Sequence, residues 1–476
     1  MTENRELWQW SACDLAQAIR DKRLSCQDAV GSVVERIRAE NGEINAIVDD
    51  LTEEALAEAA GHDSILAADG PLGPLHGVPV TIKENVDQAG RATPNGVAAF
   101  AGVIAPDDAP VVRNLRNAGA IVVGRTNTPE FSFRATTDNP LHGRTINPWD
   151  ETRSPGGSSG GAAAATVMGF GPIAHGNDIG GSLRFPSFAC GTATVRPTQG
   201  RVAAYNPSAP EERGLLAQLM SVQGAIAREV RDVRDVRLAM EVLVRPDARD
   251  PWHVPLPFGG PPPPSPIKVA VTRNAHGYAI DPLITAAVDR AAGVLSDAGY
   301  AVEETEPPLM PEIAEAWRTN TMGEVKLLMD PAIRQFGSET IQRMFDEYYE
   351  LMVPAEPPAL IRALADRTRL TRAWNLFLED YPLVLTPFLM RTLYGWNEDA
   401  QGPEYIKDIF DAAIYSFGMN YLGLPAAMVP TGLKGGWPLG VQIIGRRFRE
   451  DLCLDAAEAI ERSTGVLANT LWRQRG

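Results

Sequence analysis

Two spacings of apolar residues, one helical and one alternating, recur along the chain. In the first sixty residues the spacing is helical, and Ser11 and Ser25 each stand three positions before an aspartate, as in a capping box. The segment HGVPVTIKEN, residues 76–85, alternates as a strand does, with Lys83 at its end. A helix over APVVRNLRNAG and an apolar strand over 120–127 follow at short spacing. This strand–helix–strand order favours a parallel or mixed sheet.

The alternation of helices and strands continues to the C-terminus. A helix is predicted over AAAATVMG, a helical stripe begins at Arg231, and a capped helix runs from Asp281 to about Gly299. Residues 309–380 are predicted to be mainly helical. Further strands are predicted at PIAHGNDI (172–179), IKVAVTRN, LVLTPF (383–388), AAMVPTG and PLGVQIIG.

One proline-rich stretch, PWHVPLPFGGPPPPSP at 251–266, is the best candidate for a linker. Its four successive prolines favour an extended, semi-rigid surface crossing. Strands expected to share one sheet lie on both sides of it, and the chain has no internal repeat. We therefore expect one large α/β domain over residues 1–476 rather than two independent domains.

Composition narrows the class of protein. The chain has 476 residues, 44% hydrophobic and 22% charged, as in an ordinary globular protein. Its formal charge of −16 repels phosphate backbones and anionic membrane surfaces. Without a signal-like N-terminus or an apolar run of about 18 residues, a cytoplasmic location is expected, with no membrane partner. The four cysteines, widely separated, are expected to be buried, and the six scattered histidines indicate no metal site.

The stretch SPGGSSGG, residues 154–161, admits several interpretations. It contains the GxSxG pattern of a nucleophile elbow, but the charged DETRSP before it is not the buried strand that an elbow follows. A phosphate-binding loop would need a lysine after the glycines, and none is there. A flexible linker remains open, although a predicted helix follows directly and a second glycine turn, 180–182, comes soon afterwards.

Three segments, PVTIKEN, SPGGSSGG and GNDIGGSLRFPSFACGTATVRPTQGRV, strongly resemble the amidase signature family of Ser–Ser–Lys hydrolases. The family's characteristic core would span about residues 70–205, and GRTNTPEF and PLGVQIIG extend the resemblance over most of the chain. The resemblance implies a central mixed β-sheet flanked by helices on both faces. Residues 205–265 and a helical substrate-side region at about 309–400 are free to differ.

The resemblance also implies roles for individual residues. Ser182 would be the nucleophile, Ser158, in a cis peptide, the proton relay, and Lys83 the general base. A lysine can act as a base only when neutral, so its pKa must fall, as burial can make it do. The backbone N–H groups of the second glycine turn, 180–182, and of the residue before it would form the oxyanion hole. Neighbouring side chains would hold this turn in place. The oxyanion residues are Ile179, Gly180, Gly181 and Ser182, and the supporting residues are Asp178, Arg184 and Ser159.

The substrate-contacting residues follow less directly from the resemblance. Phe131 and Phe133 follow TNTPE in a family region that approaches the pocket, with core packing as the alternative. Leu219 and Met220, with Leu215 and Leu216, are candidates for an apolar lid, with packing of a loop as the alternative.

The expected activity is cleavage of amides, anilides and, as the chemistry allows, carbamates or esters, through an acyl-enzyme on Ser182. No cofactor, metal or nucleic acid is implied; the substrate would be a small amide-type molecule, and the family allows a homodimer. Two other functions remain. One is the A subunit of a tRNA-dependent amidotransferase, whose usual SLDxxGP is replaced here by SVQGAIA, residues 221–227. The other is a catalytically degenerate binding protein on the same scaffold.

Overall fold

A single mixed β-sheet forms the centre of the molecule. The structure, a computed structural model, describes residues 5–228, 233–465 and 467–475. The strands of these residues are β1 Ile47–Asp50, β2 Pro79–Lys83, β3 Ile121–Thr126, β4 Ile173–Asp178, β5 Ala193–Arg196, β6 Val222–Ala227, β7 Lys268–Val271, β8 Ala301–Glu304, β9 Leu383–Pro387, β10 Ala426–Lys434 and β11 Trp437–Gly445.

Helices cover both faces of this sheet. They are α1 Ala12–Arg20, α2 Cys26–Ile44, α3 Thr52–Ala68, α4 Pro110–Asn117, α5 Gly160–Met168, α6 Arg184–Cys190, α7 Leu215–Met220, α8 Val233–Leu243, α9 Pro282–Asp297, α10 Met310–Leu328, α11 Asp330–Phe336, α12 Glu339–Leu351, α13 Pro357–Asp380, α14 Pro403–Ala412, α15 Ile414–Leu422, α16 Glu450–Thr464 and α17 Leu467–Arg475. None of the helices in the described ranges is long and apolar enough to cross a membrane.

The strand order is β1-β3-β2-β4-β6-β5-β10-β11-β9-β7-β8. β2 runs parallel to both β3 and β4, whereas β4 pairs antiparallel with β6, so the sheet is mixed as predicted. Val80 lies opposite Ile173, and Thr81 opposite Ala174. Because β2 and β4 are parallel neighbours in this register, their carboxyl ends reach the same edge of the sheet. Lys83 and the last residues of β4 are thereby brought together.

Strands on both sides of the proline-rich stretch share the sheet, since β7 joins it next to β9 after β1 to β6 are already in place. The single α/β domain is therefore confirmed. Residues 251–266 form no helix or strand and are mostly exposed, as expected for a surface crossing.

Local capping signals predicted the starts of α1, α2 and α9 correctly. The Ser25 hydroxyl accepts a hydrogen bond from Asp28 N–H in a complete capping box, and Asp281 caps α9 through Leu283 N–H. Ser11 caps α1 without the reciprocal bond. The helical stripe predicted from Arg231 corresponds to α8; Arg231 itself lies outside the described residues.

Two expectations need correction. The first sixty residues are not helical throughout, because β1 pairs antiparallel with β3 at the sheet edge. Four residues, half of them only partly buried, are too few for an alternating pattern to stand out. Cys13 is partly exposed, whereas Cys26, Cys190 and Cys453 are buried as expected.

Candidate active site

Lys83 ends β2 with its side chain wholly buried. Its Nζ lies 2.7 Å from Ser158 Oγ and 2.8 Å from Asn177 Oδ1. Burial lowers the Lys83 pKa from 10.5 to about 7, against the opposing effect of the negative charges on Asp178 and Glu84. At pH 7 about half of such amines are neutral, and a neutral amine can accept a proton from a hydroxyl in contact with it.

The stretch 154–161 is a buried, tightly bonded turn rather than a linker. Ser154 Oγ accepts from Gly156 N–H at 3.0 Å, while the Thr137 hydroxyl donates to Gly156 O at 2.9 Å and accepts from Gly160 N–H at 3.1 Å. The peptide between Gly157 and Ser158 is cis. α5 begins directly afterwards. Within the described residues 127–153, no strand precedes this turn, so the nucleophile-elbow interpretation lacks the strand that it requires.

Ser182 follows β4 through the glycine turn and is the more accessible of the two serines. Its side chain is partly exposed, whereas Ser158 is 1% exposed. Ser159 N–H donates to Ser182 O at 3.2 Å, which joins the two serine-bearing turns. The arrangement places a buried amine innermost, a buried hydroxyl next to it, and a solvent-accessible hydroxyl on the adjoining turn.

Hydrogen bonds from outside the turn fix the orientation of its peptide planes. Trp317 Nε1 donates to Ile179 O at 3.1 Å. Because C=O and N–H of a trans peptide point in opposite directions, this bond turns Gly180 N–H away from Trp317. The N–H groups of Ile179, Gly180 and Ser182 have no acceptor within the described residues, so they are available to an anionic oxygen.

Gly181 does not match the expected oxyanion role. Its N–H donates to Asp178 Oδ1 at 2.7 Å, because the Ser416 hydroxyl, donating to Gly180 O at 3.0 Å, turns this peptide the other way. Gly181 instead allows the chain to turn: its φ is +121°, and a Cβ there would lie 2.4 Å from Ser416 Oγ.

Asp178 and Arg184 form an ion pair that is entirely buried, with Arg184 Nε 3.0 Å from Asp178 Oδ2. Burial raises the Asp178 pKa, but the charge and hydrogen bond of Arg184, together with the Arg196 charge and the Asn420 hydrogen bond, outweigh it and lower the pKa to about 2. Arg184 also donates to Gln442 Oε1 at 2.7 Å, and Asn420 Nδ2 donates to Asp178 Oδ1 at 2.8 Å. A fixed carboxylate thus holds the turn.

The sequence analysis missed the polar residues that complete these contacts. Asn177 accepts from Lys83, and its amide pairs with that of Asn85. Both asparagines stand at the carboxyl ends of strands that are parallel neighbours, in IKEN and GND, which is the signal that could have found them. Asn420 and Gln442 come from the distant C-terminal part of the chain, and no local pattern marks them.

Six aromatic rings, which we call the aromatic arc, run from one side of this site to the other. Consecutive ring centroids are 4.2 to 5.7 Å apart, in the order Phe133, Phe345, Tyr348, Phe410, Phe417 and Trp317. At one end Trp317 covers Gly180, where a Cβ would lie 2.9 Å from its ring. At the other end Phe133 follows Ser132, which contacts Asn85. Phe131 is buried in an apolar cluster that also contains Phe345 and Tyr348 of the arc, and its own ring partner is Phe100.

The four apolar side chains considered as a lid belong to α7. Leu216 and Met220 are buried, Leu219 is partly buried and Leu215 is 46% exposed. Glu324 accepts the N–H groups of Leu216 and Ala217, and Arg196 donates to Met220 O at 2.8 Å. α7 is therefore held at both ends, which favours the packing alternative.

A mixed α/β sheet that brings a buried lysine next to two serine-bearing turns is the arrangement of a serine-dependent amide hydrolase. Comparison with known proteins agrees. The family model described as Amidase matches residues 28–454. The chain belongs to the Amidase family and is a hydrolase that cleaves amide C–N bonds.

Individual relatives cover nearly the whole chain. The indoleacetamide hydrolase of Bradyrhizobium diazoefficiens is 49% identical over 467 residues, 98% of this chain and 88% of that protein. The A subunit of the glutamyl-tRNA(Gln) amidotransferase of Moorella thermoacetica is 33% identical, over 96% of this chain and 97% of that protein. The solved structures of 6-aminohexanoate cyclic dimer hydrolase and of a bacterial aryl acylamidase each give a TM-score of 0.82 at 26% identity, over 97% of this chain and 98% of theirs.

Proposed function

We propose that Ser182 is the nucleophile of the amidase reaction, Ser158 the relay and Lys83 the general base. The observation that carries this proposal is the 2.7 Å contact between Ser158 Oγ and the buried Nζ of Lys83, whose pKa is lowered to about 7. A serine hydroxyl becomes nucleophilic only when a base takes its proton, and no histidine is needed where a lysine can do this.

The proposed reaction has two halves. Ser182 Oγ attacks the amide carbonyl while its proton passes to Ser158 and the proton of Ser158 passes to Lys83. The carbonyl oxygen becomes an oxyanion facing the N–H groups of Ile179, Gly180 and Ser182. The proton returns through Ser158 to the leaving nitrogen, the C–N bond breaks, and an acyl-enzyme remains. Water, deprotonated by the same route, then releases the acid.

We infer further that the acyl group is a planar aromatic acetyl group, as in indoleacetamide. The 49% identical relative is an indoleacetamide hydrolase, and the aromatic arc offers flat apolar surface next to the turn. Two rings of the arc, Phe133 and Phe410, are partly exposed and can contact a ligand. Each aromatic contact adds about 0.5–1.5 kcal/mol beyond area burial, which corresponds to about two- to twelvefold in selectivity, so contacts with both rings together can reach about tenfold or more.

The test is turnover of indoleacetamide and of hexanamide by the purified chain, without ATP or tRNA. We expect kcat/KM to favour indoleacetamide by about tenfold or more. Phe410→Leu should reduce the preference for indoleacetamide. Phe377→Leu, which removes a ring of α13 that stacks on Tyr381, should leave that preference unchanged. Equal rates for both amides would contradict the substrate assignment. Activity that required ATP and tRNA would instead support the amidotransferase alternative.

The remaining expectations about partners stay predictions. The formal charge of −16 supports a small-molecule substrate over nucleic acid. A homodimer would be measured by light scattering, and the cytoplasmic location by fractionation of cells.

A further inference from the structure

Asn85 and Asn177 form a reciprocal amide pair beside the buried lysine. Asn177 Nδ2 donates to Asn85 Oδ1 at 2.8 Å, and Asn85 Nδ2 approaches Asn177 Oδ1 at 3.3 Å. Asn177 Oδ1 also accepts the 2.8 Å hydrogen bond from Lys83. The pair therefore connects directly to the amine of Lys83.

A serine in an unusual conformation fixes which way this pair points. Asn85 Nδ2 donates to Ser132 Oγ at 2.9 Å, and the Ser132 hydroxyl donates to Asn95 Oδ1 at 2.6 Å. The Thr128 hydroxyl also lies 2.8 Å from Ser132 Oγ and can donate to it. Because Asn95 Oδ1 can only accept, the single hydrogen of Ser132 goes there, and Ser132 Oγ accepts from Asn85 and Thr128. Ser132 has a φ of 56°, a left-handed conformation uncommon for residues other than glycine.

The direction set at Ser132 passes along the chain of amides. With its NH₂ group on Ser132, Asn85 presents its oxygen to Asn177, which in turn presents its own oxygen to Lys83. A neutral amine has two N–H bonds and one lone pair. When one N–H is held by Asn177, the lone pair can face Ser158 Oγ at 2.7 Å. A flipped Asn177 amide would instead donate an N–H to that lone pair.

We propose that Asn85, Asn177 and Ser132 are positioning residues that keep the lone pair of Lys83 directed at Ser158. This inference rests on the proposed role of Lys83 as the base.

Three ionisable side chains also act on the amine or border it. Glu84 follows it in sequence, and Asp178, paired with Arg184, and His175 lie on β4. These charges act on the amine together with the amide pair. Substitutions at Asn85 change the direction of the hydrogen bonds and leave these ionisable side chains in place.

The experiment measures kcat and KM against pH for Asn85→Leu and Asn85→Asp in the full-length enzyme, with a simple amide as substrate. Asn85→Leu frees the Asn177 amide to flip. We expect its kcat plateau to fall about tenfold or more, KM to change by less than about threefold, and the rising limb to move to lower pH, because the ammonium loses a fixed acceptor.

Asn85→Asp is the conservative variant, because its carboxylate still accepts from Asn177 Nδ2. We expect the plateau to return to within about threefold of the native enzyme. The rising limb should move about one unit to higher pH, because the new negative charge favours the ammonium form. An Asn85→Leu variant with native plateau and limb, or an Asn85→Asp plateau as low as that of Asn85→Leu, would overturn the proposal.

Asn139 supplies a matched control. Its Nδ2 donates to Asn127 Oδ1 at 2.8 Å, so the same kind of buried amide pair is lost in Asn139→Leu without a contact to Lys83. That variant should lose stability and keep the native position of the rising limb. If the proposed catalytic roles themselves were wrong, the result would differ: the Ser182→Ala variant would keep the turnover of the native enzyme.

Discussion

Replacing Lys83 by methionine tests whether the amine is held neutral by burial. The fall of its pKa from 10.5 to about 7 corresponds to about 5 kcal/mol of unfavourable interaction with the ammonium form. In the unfolded chain the same amine has its ordinary pKa. Between pH 7 and 10.5 the unfolded state therefore binds more protons than the folded state, and the native protein gains stability as pH rises.

Lys83→Met removes this gain while keeping a side chain of similar length. The free energy of unfolding of the variant, relative to native, should therefore fall by about 1.4 kcal/mol for each pH unit above 7. The comparison uses the pH trend because methionine also leaves Ser158 Oγ and Asn177 Oδ1 without their contact, at a cost of about 1–3 kcal/mol each that is independent of pH.

The assay is urea unfolding of both proteins at pH 7.0, 8.0, 9.0 and 9.5. Lys434, exposed at the end of β10, gives the matched control, since Lys434→Met should differ from native by the same amount at every pH. In the native enzyme kcat/KM should rise up to about pH 7 and then level off, as Lys83 loses its proton. If the free energy of unfolding of Lys83→Met differed from that of the native protein by the same amount from pH 7.0 to 9.5, the lowered pKa of Lys83 would be refuted.

Three further substitutions probe the turn. Ser182→Ala should lower kcat about 10⁴-fold or more and abolish the mass adduct of a fluorophosphonate probe; an adduct that persists would place the nucleophile elsewhere. Asp178→Asn leaves the Arg184 charge buried without its partner and should cost about 3–5 kcal/mol in urea unfolding, so a loss below about 1 kcal/mol would contradict the assigned pair. Gly181→Ala, strained at φ +121°, should lower the melting temperature and kcat. Gly31→Ala, with open space on α2, should do neither.

The sequence was most informative where function depends on residues close together in the chain. Lys83 at the end of an alternating strand, and two glycine-rich turns each carrying a serine, were recognisable because β2, β4 and their turns are continuous segments. The structure brings them together because parallel neighbours end at one edge of a sheet. The short strands β5, β6 and β8 were not predicted, since four to six residues without clear alternation carry little signal.

The sequence could not predict the direction in which backbone N–H groups and side-chain amides of the site point. The inward or outward direction of each N–H in the turn depends on Trp317 and Ser416, whose helices lie far along the chain. The resemblance therefore assigned Gly181 to the oxyanion hole, although its N–H is taken by Asp178. The same holds for Asn177, whose amide orientation is decided at Ser132.

The two hydrogen bonds that reach the turn from helices 138 and 236 residues away have a consequence for divergence within this scaffold. Trp317 lies on α10 and Ser416 on α15, so a chimera that received its α10 to α15 segment from a relative would keep these supports only where the relative has the same two donors. The segment that carries most of the aromatic arc therefore also carries the groups that orient the peptides beside Ser182.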